Sequence, residues 1–292
     1  QKATALTLIL VGLGTNLYFY TVHEGPMSHG YSFALITIFL YLVMRWYEEP
    51  SERRSIFLGL VFGLIVLVRP SNMIAGILFL GWGVSGLDSL KSRPGFLLRH
   101  FKYLLWMMFF FVILWIPQML YWKAATGSLL YNSYGISGSK FFFGSPNILQ
   151  LLFSFRKGWF IYTPVMLAAT FGILFMGKRC KGGRMSISFL LVLQIYLLAS
   201  WWSWWNGSSF GLRSCVDLYG VMALPLAALI DTSLRSRKIV RILSISVLGF
   251  FLCMNQFQTI QYTKGIIHPS EMTWEAYRLN FLKLNEMEET SK

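Results

Sequence analysis

The chain has 292 residues and a formal net charge of +14, with 55% hydrophobic, 17% aromatic and only 13% charged residues. Soluble domains carry about 25% charged residues, so this composition speaks against a soluble enzyme, a disordered tail and a nucleic-acid module. In so apolar a chain, the excess of basic residues reads as positive cytoplasmic loops.

A spanning helix needs about 20 mainly apolar residues. In chain order, nine apolar segments stand out, at 3–20, 31–47, 55–68, 73–87, 103–121, 159–177, 185–200, 216–231 and 240–257. They predict an all-α polytopic membrane protein with about nine transmembrane or re-entrant helices. The pair at 55–87 is short, each half about 21 Å long at 1.5 Å per residue. It reads as two short spans or as a re-entrant hairpin broken at Arg69-Pro70-Ser71-Asn72. The transmembrane part is expected over 1–257, followed by an outer-face amphipathic tail over 258–292.

Lys and Arg in the loops set the orientation. With a cytoplasmic N-terminus, the inner loops 45–55, 88–102, 178–184 and 232–241 hold fifteen Lys and Arg in 43 residues. The outer segments 21–30, 122–158, 201–215 and 258–292 hold nine in 97, so every alternate loop agrees with this orientation. The long loops then all face outward, and chemistry is expected at the outer leaflet.

The first outer loop reads Thr21-Val-His-Glu-Gly-Pro-Met-Ser-His-Gly30 and places Glu24 near His23, Ser28 and His29. Glu24 is either a solvated loop carboxylate or an acid with a task, since a charge at the membrane edge is costly without a partner. Arg69 ends an apolar run and must snorkel, pair or face a polar cavity. In the second outer segment, Asn147–Phe155 reads as a short interfacial helix. It leads to Arg156-Lys157-Gly158, a pair of cations against the positive-inside trend, and then to Trp159-Phe-Ile-Tyr162-Thr-Pro164. The pair suits lipid headgroups or an anionic lipid substrate. The third loop, Trp201-Trp-Ser-Trp-Trp205-Asn-Gly-Ser-Ser-Phe-Gly-Leu-Arg213-Ser-Cys-Val-Asp217, suits an interfacial aromatic belt or a sugar-stacking platform. Arg213 and Asp217 are four apart and could simply pair. Trp274, Tyr277, Phe281 and Leu284 recur at helical spacing in the tail.

The three cysteines are odd in number and widely spaced, with no CxxC, and set no framework. No Walker loop, GxGxxG, GxSxG or HExxH occurs, which leaves nucleotide-driven chemistry without support. The first outer loop offers too few ligands for a metal site of its own.

Four stretches in order, HEGPMSH, GLVFGLIVLVRPSN at 59–72, RKGWFIYTP at 156–164 and WWSWWNGSSFGLRSCVDLY at 201–219, give the chain a likeness to a known group. It resembles the polytopic membrane glycosyltransferases of the GT-C superfamily, which includes protein O-mannosyltransferases and the lipid A aminoarabinose transferase. Its likeness to mannosyltransferase-like bacterial members is greatest. The resemblance implies transfer of a sugar from a polyprenyl-phosphate donor to a lipid, glycan or protein acceptor at the outer face, among membrane lipids and without nucleic acid. It implies Glu24 as a catalytic acid, by loop position. It implies Arg69, matching the hairpin cation, and Arg213, matching the G-x-R arginine, as contacts to the donor phosphate; His29, Arg156, Lys157, Tyr162, Trp205 and Asp217 join them as the expected substrate-binding residues of the outer face. It names no certain cofactor and leaves room for a divalent metal. Because no acid precedes Glu24 and the chain opens on Gln1, the resemblance further implies an upstream stretch with two more spans and the principal catalytic Asp. The rival expectations are a transporter or flippase of lipid-linked or small anionic substrates, and an enzyme like the O-antigen polymerases and ligases.

Overall fold

The computed structural model describes residues 1–131, 139–177 and 182–285. Among them the regular structure is helical, with no strand. The helices are α1 (Lys2–Leu13), α2 (Leu17–Val22), α3 (Ser28–Glu48), α4 (Glu52–Val68), α5 (Gly76–Gly81), α6 (Leu87–Arg99), α7 (Phe101–Thr126), α8 (Ile148–Phe153), α9 (Trp159–Tyr162), α10 (Pro164–Gly172), α11 (Arg184–Ser200), α12 (Tyr219–Arg235), α13 (Lys238–Thr263) and α14 (Trp274–Leu279).

Among the described residues, four stretches are long and apolar enough to cross a membrane: α3, α7, the Arg213–Arg235 stretch that ends in α12, and α13. Even the shortest, α3 with 21 residues, extends about 31 Å at 1.5 Å per residue, against a hydrocarbon core of about 30 Å. They coincide with the apolar runs at 31–47, 103–121, 216–231 and 240–257.

The other five predicted segments are shorter or broken, for local reasons. The run at 3–20 stops after Leu13. There Thr15 Oγ1 turns back to the Val11 carbonyl at 2.7 Å and accepts from the Leu17 amide at 3.2 Å, so α2 starts afresh. The run at 159–177 breaks at Thr163, held at φ −140° because the next residue, Pro164, disfavours helical backbone before it. The same rule places Arg69 in extended backbone, φ −150°, ahead of Pro70. Pro70–Ala75 continues as a 3-10 turn into the six-residue α5. At 17 residues each, α4 and α11 reach about 25 Å.

The chain forms two compact units. The first comprises Gln1–Gly30, Phe142–Arg179 and Ile195–Lys292. Its core sets α10 and α1 against α12, with Val165, Met166, Ala169, Leu226 and Ile230 buried. Gly172 permits the close crossing: a Cβ there would stand 2.1 Å from the Pro225 carbonyl oxygen. The tail joins this unit. The predicted periodic helix over 274–284 ends at Leu279, and Phe155 packs on Trp274 and Tyr277 with ring centroids 4.6 and 4.9 Å apart.

The second unit comprises Tyr31–Phe141 and Cys180–Gln194. Here α4 lies against α7 through Gly59 and Gly63, where a Cβ would stand 2.3 Å from the Met107 carbonyl oxygen and 3.0 Å from Leu114 Cδ2. Small residues four apart let two membrane helices approach closely. Trp46 is fully buried and donates to Ser55 Oγ at 2.9 Å. No residue of α7 is buried.

Candidate functional site

In the first unit, a buried polar framework holds the 206–218 loop in place. Asn16, in the break between α1 and α2, donates to the Phe210 carbonyl at 3.0 Å and accepts from the Tyr219 hydroxyl at 2.6 Å. The Tyr20 hydroxyl donates to the same carbonyl at 3.1 Å and accepts from the Phe210 amide at 2.9 Å. Gly211 sits under this framework at φ +57°, in the left-handed region that glycine tolerates. On another side, Asn255 and Gln258 of α13 donate to the Tyr162 and Ile161 carbonyls at 2.6 and 3.2 Å. Those are carbonyls freed by the Pro164 break, and polar side chains in an apolar helix satisfy them.

On this framework, α2 ends in a tight turn. The His23 and Glu24 amides both donate to the Phe19 carbonyl, at 2.9 and 3.2 Å, and the Met27 amide donates to the Glu24 carbonyl at 2.9 Å. The turn sets Glu24 with its Oε2 buried and without a hydrogen-bond partner among the described residues. A buried carboxylate oxygen in that state is costly. Five residues on, at the start of α3, His29 Nδ1 meets Asp217 Oδ1 at 2.9 Å. The Arg213 guanidinium lies 3.6 Å from the Met27 sulfur and is partly exposed. Asp217 thus makes its closest described contact with His29 rather than with Arg213.

A second group of cations lies in the same unit. Arg156 stacks on the Trp205 ring, its guanidinium carbon 3.9 Å from the centroid, and its Nε donates to the Ser270 carbonyl at 2.7 Å. The neighbouring Lys157 is not a surface cation. It is 1% exposed, and its ammonium donates to the Ser209 and Pro269 carbonyls. Burial lowers its pKa from 10.5 to about 7, helped by the charges of Arg213 and Arg156 and opposed by Glu24. Gly158 allows the turn that puts the two cations side by side, since a Cβ there would stand 2.4 Å from the Ser154 carbonyl oxygen.

The first unit therefore contains Glu24, His29, Arg156, Lys157, Tyr162, Trp205, Arg213 and Asp217 together. Tyr162 is part of its framework: it is buried, and its hydroxyl donates to the Phe155 carbonyl at 2.5 Å. Arg69 belongs to the second unit, at the break between α4 and the Pro70–Ala75 turn. Sequence reasoning missed Asn16, Tyr20, Asn255, Gln258 and the tail carbonyls of Pro269 and Ser270. The first four carried a usable signal, since polar side chains within apolar runs must find partners.

A divalent ion needs several converging donors. Among the described residues no three His, Cys, Asp or Glu side chains form such a group, so the described donor set does not fit a metal. The arrangement offers a lone carboxylate oxygen, guanidinium groups for an anion, and an indole face already stacked by a cation. The chain matches no protein-family model, no curated protein and no solved structure.

Proposed function

We propose that the protein is a GT-C-like glycosyltransferase that moves a sugar from a polyprenyl-phosphate donor to an acceptor at the periplasmic face of a bacterial inner membrane. The acceptor is a hydroxyl or amine on a lipid, glycan or protein. Its O–H or N–H proton passes to a carboxylate, the heteroatom bonds to C1 of the sugar, and the C1–O bond breaks with its electron pair leaving on the polyprenyl phosphate. Glu24 takes or aligns that proton. Arg156 and Arg213 offset the charge that grows on the leaving phosphate, and the Trp205 region flanks the sugar.

The observation that carries this reading is Glu24 Oε2, a carboxylate oxygen withdrawn from water without a donor among the described residues, in the same unit as Arg156, Lys157 and Arg213. An acceptor hydroxyl or amine supplies the missing donor. The test is sugar transfer from a labelled polyprenyl-phosphate sugar by the full-length protein in membranes. Glu24→Gln keeps donor binding and loses about 10²-fold or more in turnover; unchanged turnover overturns the reading.

The helix breaks at Gly14–Asn16 and Thr163 favour a transporter as the second reading, because transporters bind substrate at discontinuous helices. Against it, the carbonyls freed at the Pro164 break already bind Asn255 and Gln258. Substrate uptake into vesicles without sugar transfer is the result that selects it.

A further inference from the structure

We propose that α6 is a docking surface for anionic phospholipid, lying in the interface of one leaflet with a leucine stripe turned into the lipid. The inference concerns the second unit alone and is independent of the glycosyltransferase reading.

One side of α6 is fastened to its own unit. Arg93 donates to the Tyr47 hydroxyl at 2.9 Å and to the Trp82 carbonyl, and its guanidinium lies 5.1 Å from the Tyr47 ring centroid. Phe96 stacks on Tyr47 at 5.5 Å and 11°. These residues are three apart and share a helix face.

The other side is bare. Leu87, Leu90 and Leu98 are 74, 53 and 71% exposed, and Pro94 between them is exposed as well. Their spacing of three, four and four residues makes one continuous stripe along the helix. A stripe of this kind on a soluble protein would mark a partner site. Here the chain itself names the partner. Only His100 separates α6 from α7, a 26-residue helix apolar enough to cross a membrane. Its first turns expose Phe101, Leu105 and Met108. A helix joined to a span by one residue lies at the membrane edge.

Charge selects the lipid. The helix carries Lys91, Arg93 and Arg99 against one acid, Asp88. Arg93 is committed to Tyr47 and Trp82, which leaves Lys91 and Arg99, both exposed, for headgroups. A leucine face flanked by basic residues is the pattern of a helix in the plane of an anionic interface. A second protein or a second copy of this chain would occupy the same stripe only by excluding lipid from it.

The experiment uses the full chain in nanodiscs, with Cys180, Cys215 and Cys253 replaced by Ala and single cysteines introduced as Leu90→Cys, Leu98→Cys and Ser92→Cys. Each carries an environment-sensitive fluorophore. Nitroxide-bearing lipid quenches the probes at positions 90 and 98 and not the one at 92, while iodide in water does the reverse. Spin-labelled phosphatidylglycerol is preferred over phosphatidylcholine near α6, and Lys91→Gln or Arg99→Gln each reduces that preference about fivefold. Water access at 90 and 98 equal to that at 92 overturns the proposal. So does protection at 90 and 98 without lipid quenching, which marks a protein partner, and so does quenching indifferent to headgroup charge.

Discussion

His29 Nδ1 and Asp217 Oδ1 meet at 2.9 Å across 188 residues of sequence, and the two side chains are only 4% and 1% exposed. The pair ties the first loop to the mouth of α12 and so fixes Glu24 relative to Arg213. Truncating either side chain removes this buried hydrogen bond, at a cost of about 1–3 kcal/mol. His29→Ala and Asp217→Ala should therefore each lower the unfolding midpoint in detergent sharply, and the double variant should be little worse than either. Additive losses would mean that the two side chains do not depend on each other.

Two glycines of the 201–215 loop separate backbone strain from packing. Gly207 and Gly211 both have positive φ, +64° and +57°. A Cβ at Gly207 meets open space, whereas one at Gly211 stands 2.9 Å from Tyr162 Cβ and 3.4 Å from Asn16 Nδ2. Gly207→Ala should cost about 1–2 kcal/mol, the left-handed penalty alone. Gly211→Ala should cost that and about 1–3 kcal/mol more for overpacking. Unfolding curves of the two variants test this, and equal midpoints would mean that Tyr162 gives way freely.

Much of this arrangement is legible in the sequence, and the exceptions have physical reasons. The four stretches long enough to cross a membrane coincide with apolar runs, and Pro164 and Pro70 announce the breaks in the segments at 159–177 and 55–87. Glu24, Arg156 and Arg213, far apart in sequence, fall in one compact unit. The pairing of Asp217 was not legible. A spacing of four suggests Arg213, but Arg213–Leu218 is a 3-10 turn, where residues three apart, not four, align. The depth of Lys157 was equally hidden, because the carbonyls that hold it come from residues 52 and 112 positions away. Only tertiary structure brings Ser209 and Pro269 to one ammonium.

Lys157 gives the fold a pH signature. Its pKa is lowered from 10.5 to about 7, by burial first and then by Arg213 and Arg156. Between these values the unfolded chain binds the proton and the folded chain does not, so stability rises with pH across that window. Below about pH 7 the buried charge weighs fully against folding. Lys157→Met should flatten the rise in unfolding midpoint between about pH 7 and 10. A variant that keeps the wild-type slope would assign the titration to another group.

Arg213 separates donor binding from simple placement at the membrane edge. Asp217 is engaged with His29, so the contact described for the Arg213 guanidinium is the weak one with the Met27 sulfur. A cation that only decorates a wet edge is worth about 0–1 kcal/mol, and Arg213→Ala would then barely change donor affinity. Charge-assisted hydrogen bonds to a phosphate in a partly dehydrated site are worth about 1.5–3 kcal/mol. At 1.4 kcal/mol per decade, Arg213→Ala should then weaken polyprenyl-phosphate binding about 10- to 100-fold. Arg213→Lys should recover part of the loss, because an ammonium keeps the charge but not the planar fork. Trp205→Ala serves as the companion: it frees Arg156 from its stacking partner at a cost of about 0.5–2 kcal/mol, and should weaken binding less than Arg213→Ala. Binding is measured in detergent with the full-length protein and polyprenyl phosphate. Equal affinities for wild type, Arg213→Ala and Arg213→Lys would remove Arg213 from the donor site, and with it one of the two cations proposed for the leaving phosphate.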